Sequence, residues 1–96
     1  MGDDLLDFDW DEGNRGHVAL HGVGTIEVEQ AILDREAIFV EIQSEFEEER
    51  TKVVGMTASG RILEVVFTFR GEAIRAVTAY DAPSRLRTRY LERRSG

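Results

Sequence analysis

Arg61-Ile62-Leu63-Glu64-Val65-Val66-Phe67-Thr68-Phe69, then Arg70-Gly71-Glu72, then Ala73-Ile74-Arg75-Ala76-Val77-Thr78-Ala79-Tyr80, is the stretch that decides the fold. Leu63, Val65, Phe67 and Phe69 alternate, so they share one face of an extended strand. Gly71-Glu72 marks a tight turn, and the run after it supplies an antiparallel partner. Simple alternation places Arg75 with Val77 and Ala79, opposite Ile74, Ala76, Thr78 and Tyr80.

The pattern extends upstream. Ala58-Ser59-Gly60 is a turn signal, and Thr51 to Thr57 before it reads as a strand. Ile38, Val40 and Ile42 fall on one side of a further strand, with Phe39 and Glu41 on the other. Between these two strands, Gln43 to Arg50 crowds Glu45, Glu47, Glu48 and Glu49 together, which reads as a solvated loop with Phe46 docking back on the core. The even spacing gives a four-stranded antiparallel meander. Phe8-Asp9-Trp10 adds a short edge strand at the front.

Helices are expected to cover the apolar strand faces. Asp11 to His21 is a weak helix, capped by Asp11 and interrupted by Gly13 and Gly16, each costing about 1 kcal/mol against alanine. Gly22 follows as its left-handed terminator. Thr25 to Asp34 is a second helix, with Thr25 as N-cap and Val28, Ala31 and Ile32 on one face. Asp81, Pro83 and Ser84 open a terminal helix that ends near Arg94. The expected fold is therefore α+β: two N-terminal helices, a four-stranded antiparallel meander and a C-terminal helix, in a single domain spanning residues 1–96.

With 96 residues and no cysteine, disulfide scaffolds, thiolate metal sites and thiol catalysis are excluded. No run approaches the length of a membrane span, and the acidic start Met1-Gly2-Asp3-Asp4 lacks a signal-peptide core, so a cytoplasmic protein is expected. The net charge of −7 divides unevenly: −12 over residues 1–50 and +5 over residues 51–96. An acidic total argues against general nucleic-acid binding, whereas the basic end suits a phosphate or the acidic half of another copy.

Arg85, Arg89 and Arg93 recur every four residues on the terminal helix, with Leu86 and Tyr90 on a neighbouring stripe. Guanidinium groups make bidentate phosphate contacts, so this stripe suits an RNA backbone; it equally suits pairing with the acidic half, or solvent. Arg61, Arg70 and Arg75 lie on or beside the central strands. They suit a phosphodiester whose charge grows in the transition state, or a polar outer sheet face. His17 and His21 are four apart and share a helix face, as a metal pair or acid/base pair would; the plainer reading is a histidine at a helix end. No third metal ligand, phosphate-binding glycine loop or hydrolytic triad is identifiable, and no cofactor is expected.

Phe8-Asp9-Trp10-Asp11-Glu12, Asn14, His17-Val18-Ala19-Leu20-His21-Gly22-Val23 and Glu27-Val28-Glu29 resemble the opening of BrnT-like toxins. The resemblance continues through Gly55-Met56-Thr57-Ala58-Ser59-Gly60-Arg61, the apolar strand to Phe69, Thr78-Ala79, and the arginine-rich helix through Arg89-Tyr90. It implies a RelE-like fold and a ribonuclease that cleaves RNA without a metal and is inhibited by a cognate antitoxin. On that resemblance Arg61, Arg75 and Arg85 hold the scissile phosphate, and Tyr80 or His21 is the acid/base group. Two positions depart from the family's usual pattern: Tyr80 stands where an arginine is usual, and Leu86 where a glutamate is usual. They motivate a competing expectation, a non-catalytic protein- or RNA-binding module on the same scaffold. Self-association into a homo-oligomer, acidic half against basic helix, is a third.

Overall fold

The alternation at Leu63, Val65 and Phe67 builds the central strand of a five-stranded sheet. A computed structural model describes residues 7–45 and 47–96. The elements run β1 (Asp7–Phe8), α1 (Glu12–Ala19), α2 (Thr25–Leu33), β2 (Ile38–Gln43), β3 (Arg50–Met56), β4 (Ile62–Arg70), β5 (Ala73–Asp81) and α3 (Ser84–Ser95). The sheet order is β1-β5-β4-β3-β2. Strands β2 to β5 form the expected antiparallel meander. The correction is a fifth strand: the front edge forms at Asp7–Phe8, one residue earlier than expected, and runs parallel to β5. The docking expected of Phe46 lies outside the described residues.

Both faces of the sheet are covered, by different helices. Leu63, Val65, Phe67, Ile74, Ala76 and Ala79 pack against Val18 of α1, Val23, and Val28 and Ala31 of α2. Trp10 joins this core and its Nε1 donates to Glu29 at 2.9 Å, tying α2 to the N-terminal segment. On the other face Ile38, Val54 and Ile62 meet Leu86 and Tyr90 of α3. Removing a leucine- or valine-sized side chain from water contributes about 1.5–3 kcal/mol, so these two clusters hold the layers together.

Two β-bulges change which residues share a face. Val66 pairs with Thr78 but Phe67 pairs with Ala76, which leaves Val77 as the extra residue. Ile74, Ala76 and Ala79 therefore point into the α1/α2 core, while Arg75 shares the α3 face with Thr78 and Tyr80. Uninterrupted alternation would have put Arg75 opposite Tyr80. The second bulge falls between Phe39 and Glu41. It puts Phe39 and Ile42 on the α1/α2 face, and Glu41 with Ile38 on the α3 face, instead of Phe39 beside Glu41.

The helix ends are tighter than expected. Helix α1 stops at Ala19, because Gly22 at φ 70° turns the chain and Val23 N–H donates back to Val18 O at 3.1 Å. His21 therefore lies in the turn beyond α1, and His17 and His21 do not form a pair one helical turn apart. At α2 the N-cap is Gly24, not Thr25, and the Glu27 carboxylate reaches back to accept from Gly24 N–H at 3.0 Å.

Candidate active site

On the α3 face, Lys52, Glu64 and Tyr80 meet across three adjacent strands. Glu64 is opposite Tyr80 on β5, and Lys52 is opposite Val66, one row along. The Lys52 ammonium lies 3.6 Å from the Glu64 carboxylate and 3.5 Å from Glu41. Glu64 is buried, with 5% of its side chain exposed. A carboxylate that deep requires a cationic partner, and Lys52 supplies it.

The electrostatics of the three groups are coupled. Burial pushes the Tyr80 phenol above its ordinary value and Glu64 pushes it further, against the opposing pull of Lys52. Tyr80 thus keeps its proton across the physiological range. Burial by itself would lower Lys52, but Glu64, Tyr80 and Glu41 outweigh it and hold the ammonium above an ordinary lysine. His21 closes the group from the side, its ring edge-on to Tyr80 with centroids 5.7 Å apart.

Arg75 lies on this same face, opposite Thr68. A rise of about 3.3 Å per residue puts it roughly 13 Å along β5 from Tyr80. Its guanidinium contacts Asp11 at 3.0 Å and Asp9 at 3.6 Å. The Asn14 backbone N–H, with Arg75 assisting, holds the Asp11 carboxyl below its usual range. His17, Arg50, Arg70 and Thr68 line an open groove of about 440 Å³ with Arg75. Below α3, the sheet face is therefore a track of charged side chains.

Arg61 is placed elsewhere. It takes both Asp81 oxygens, with Nε to Oδ1 at 2.8 Å and an Nη to Oδ2 at 3.3 Å. The same guanidinium donates to Gly22 O at 2.8 Å, Glu27 at 3.1 Å and His21 O at 3.4 Å. Asp81 pairs with Leu63, which points into the α1/α2 core, so Arg61 and Arg75 are not brought together. Arg85, Arg89 and Arg93 are exposed along α3. Arg93 Nε donates to Glu36 O at 3.3 Å, and Arg89 and Arg93 line a groove with Ala37, Ile38 and Phe39.

The structure brings into ring contact Tyr80 and His21, which the sequence offered as alternative acid/base groups, and sets beside them Lys52 and Glu64, which the sequence did not single out. The signal was available: Glu64 is the only acid within the apolar run Ile62 to Phe69, and Lys52 is the only lysine in the chain. Among the described residues, no three His, Asp or Glu side chains are grouped as metal ligands, and no helix is long and apolar enough to cross a membrane.

The model of the ribonuclease toxin BrnT of type II toxin–antitoxin systems matches residues 10–85, from Trp10 to the start of α3. The chain belongs to the BrnT toxin family. The match spans every strand after β1, so it includes Lys52, Glu64, Arg75 and Tyr80 as well as the turn holding His21. Membership in a type II family implies a cognate antitoxin as partner. No individual curated protein matches the chain.

Proposed function

We propose that the chain is a BrnT-family toxin that cleaves RNA in the cytoplasm without a metal, at the α3 face of the sheet, and is neutralised by its cognate antitoxin. The observation that carries this reading is the His21–Tyr80 ring contact beside the buried Glu64–Lys52 pair.

In this reading His21 accepts the proton of a ribose 2′-hydroxyl, and the freed oxygen attacks the adjacent phosphorus. The new bond is 2′-O to P; the bond broken is P to the 5′-oxygen. Tyr80 gives its proton to that departing oxygen, leaving a 2′,3′-cyclic phosphate and a 5′-hydroxyl. Lys52 offsets the charge that builds on the phosphoryl oxygens, the role a metal ion plays elsewhere. Glu64 is a positioning residue that holds Lys52 in place beneath Tyr80. Arg75 serves a flanking phosphate, and Arg85, Arg89 and Arg93 carry RNA leaving over α3. Arg61 becomes a positioning residue for the His21–Gly22 turn, not a ligand of the scissile phosphate.

A second reading, a binding module without catalysis, draws on one observation. The guanidinium groups of Arg61 and Arg75 are already taken by the chain's own carboxylates, Arg75 by Asp9 and Asp11 of the acidic half and Arg61 by Glu27 of that half and by Asp81.

The experiment is cleavage of a labelled RNA oligomer by purified protein in excess EDTA. Cyclic-phosphate ends, formed by the wild type and lost in Tyr80→Phe and His21→Ala, support the nuclease. RNA left intact, with protein-partner binding retained, supports the module. Growth arrest on induction, relieved by co-expressing the neighbouring antitoxin, tests neutralisation separately.

A further inference from the structure

On and beside the sheet, Lys52, Arg61, Arg70 and Arg75 each have a carboxylate of the chain within 3.6 Å. Helix α3 is different. It carries Arg85, Arg87, Arg89, Arg93 and Arg94 against one acid, Glu92. Asp34 takes Arg94 at 3.8 Å, and Asp81 attracts Arg87. Arg85, Arg89 and Arg93, the stripe at four-residue spacing, form no ion pair among the described residues, although Glu92 lines one groove with Arg89 and Arg93. Arg93 reaches a carbonyl instead, Glu36 O at 3.3 Å. A phosphate chain gains most from cations of this kind, because no internal carboxylate has to be displaced first.

The stripe starts near the reacting groups. Helix α3 opens at Ser84, shortly after Tyr80, and ends against Glu36 O and Ile38, so it crosses from β5 to the β2 edge. Arg85 to Arg93 spans about 12 Å along it. Arg75 lies the other way, back along β5, and Asp9 and Asp11 already hold it. The polarity of a bound strand follows from the two proton-transfer groups. His21 reaches Tyr80 from the turn after α1, a helix packed on the opposite face, whereas Tyr80 stands on the α3 face. In the proposed reaction His21 meets the 2′-hydroxyl, and Tyr80 meets the departing oxygen of the next nucleotide, on the 3′ side. The 3′ strand therefore points toward α3. We propose that this site grips single-stranded RNA from the 3′ side of the cut, with Arg85, Arg89 and Arg93 on successive downstream phosphates. The 5′ side faces the already neutralised Arg75, which orients the strand and adds little affinity. The proposal rests on the ribonuclease reading and adds the polarity and extent of its substrate.

The test is cleavage, by the purified full chain, of oligoribonucleotides that share one cut bond and differ in tail length. Lengthening the 3′ tail from one nucleotide to about four raises kcat/KM about tenfold or more at low salt, through KM. Lengthening the 5′ tail changes it less than about twofold. The 3′ gain falls with salt on a log–log slope near −2, from three phosphates at about 0.7 each. Arg89→Ala with Arg93→Ala, both at exposed positions, keeps the far-UV circular dichroism of the wild type and loses most of the 3′ gain. Equal gains from the two tails, or a gain from the 5′ tail alone, overturn the inference and leave the nuclease standing. A double variant that keeps the 3′ gain but no longer holds the antitoxin also overturns it, by giving the stripe to that partner. RNA left whole at every tail length overturns the nuclease reading and this inference with it.

Discussion

Arg61 grips Asp81 with two nitrogens, at 2.8 and 3.3 Å, and with the same guanidinium holds the carbonyls of Gly22 and His21. The end of β5 and the turn after α1 are thus fastened by one side chain. The Arg61 contact holds the Asp81 carboxyl below its usual range.

Arg61→Ala removes that fastening. About 27% of the side chain is exposed, so solvent screens part of the contribution. The expected loss is about 1–2 kcal/mol, at the low end for hydrogen bonds to charged groups. Urea unfolding measures it. Arg61→Lys keeps the charge but not the fork, and recovers less than half of the loss. Under the proposed mechanism both variants lower kcat more than they raise KM, because His21 moves and the phosphate ligands do not.

Gly55→Ala tests how closely α2 rests on β3. A Cβ at residue 55 would lie 2.0 Å from Ala31 O, a backbone atom. The helix must lift off the sheet, disturbing Ala31 and Val28 in the core. A cost of about 3 kcal/mol is expected, which lowers Tm by more than about 10 °C in a domain of this size. Differential scanning calorimetry reads it. A Gly60→Ala control has no neighbour to meet, so its smaller cost reports only the left-handed backbone at φ 91°.

Asn14→Ala should be costly for a different reason. Asn14 is buried, and its amide donates to Asp9 O at 2.9 Å and to Ala76 O at 3.0 Å. Its side-chain oxygen accepts from Asp11 N–H at 2.8 Å. Truncation leaves the carbonyl at the β5 bulge without this partner, at about 2–3 kcal/mol. Hydrogen exchange at α1 and β1 amides should accelerate before that of β4.

The alternation in residues 61–80 made the meander legible, but it reports a period and not its phase. A bulge inserts one residue and reverses inside and outside from that point, and nothing in Ala76-Val77-Thr78 announces it. Thr78, Ala79 and Tyr80 were therefore placed on the wrong side relative to Arg75, and Glu41 and Ile42 relative to Phe39, while Leu63, Val65 and Phe67 were grouped correctly. The extent of α1 was misjudged because Gly22 acts two residues upstream of itself, drawing Leu20 and His21 into a turn. At the candidate site, His21 and Tyr80 were named from the sequence as alternative acid/base groups, Tyr80 as a departure from the family's usual arginine. Lys52 and Glu64 were not, because a lone charge on a strand gains meaning only when pairing places its partner.

Asp34 gives the fold an acid limit. Burial alone would raise its pKa, but the Tyr90 hydroxyl, the Glu36 and Met56 N–H groups and Arg94 overcome that and lower it. Tyr90 is fully buried and donates to Asp34, while Arg94 donates to Tyr90 at 2.8 Å. A depressed carboxyl stabilises the fold fully above its unfolded pKa, near 4, and that contribution is lost as pH falls through the folded value. Unfolding free energy should thus decline as pH drops below about 4. Tyr90→Phe lowers stability by about 1–2 kcal/mol at pH 7 and makes the acid decline shallower. Urea midpoints at pH 7, 4 and 3 provide the comparison, and parallel curves for wild type and Tyr90→Phe would refute it.

Lys52 and Glu64 should respond asymmetrically to substitution. Lys52→Ala leaves the buried Glu64 carboxylate without its cation, at about 2–3 kcal/mol, below the full range for a buried pair because 20% of the Lys52 side chain is exposed. Glu64→Gln removes the buried charge and leaves Lys52 with Glu41 at 3.5 Å, so it costs less than half as much. Lys52→Met combined with Glu64→Leu should lie close to the wild type in stability, since neither charge remains to be desolvated. A double-mutant cycle by urea unfolding gives the coupling energy. RNA cleavage ranks the same variants differently. Glu64→Gln, the mild variant for folding, should still lose cleavage at least tenfold, because Lys52 is no longer held beneath Tyr80. The stable double variant should be inactive. Cleavage that tracked stability across the set would show that the pair serves the fold alone.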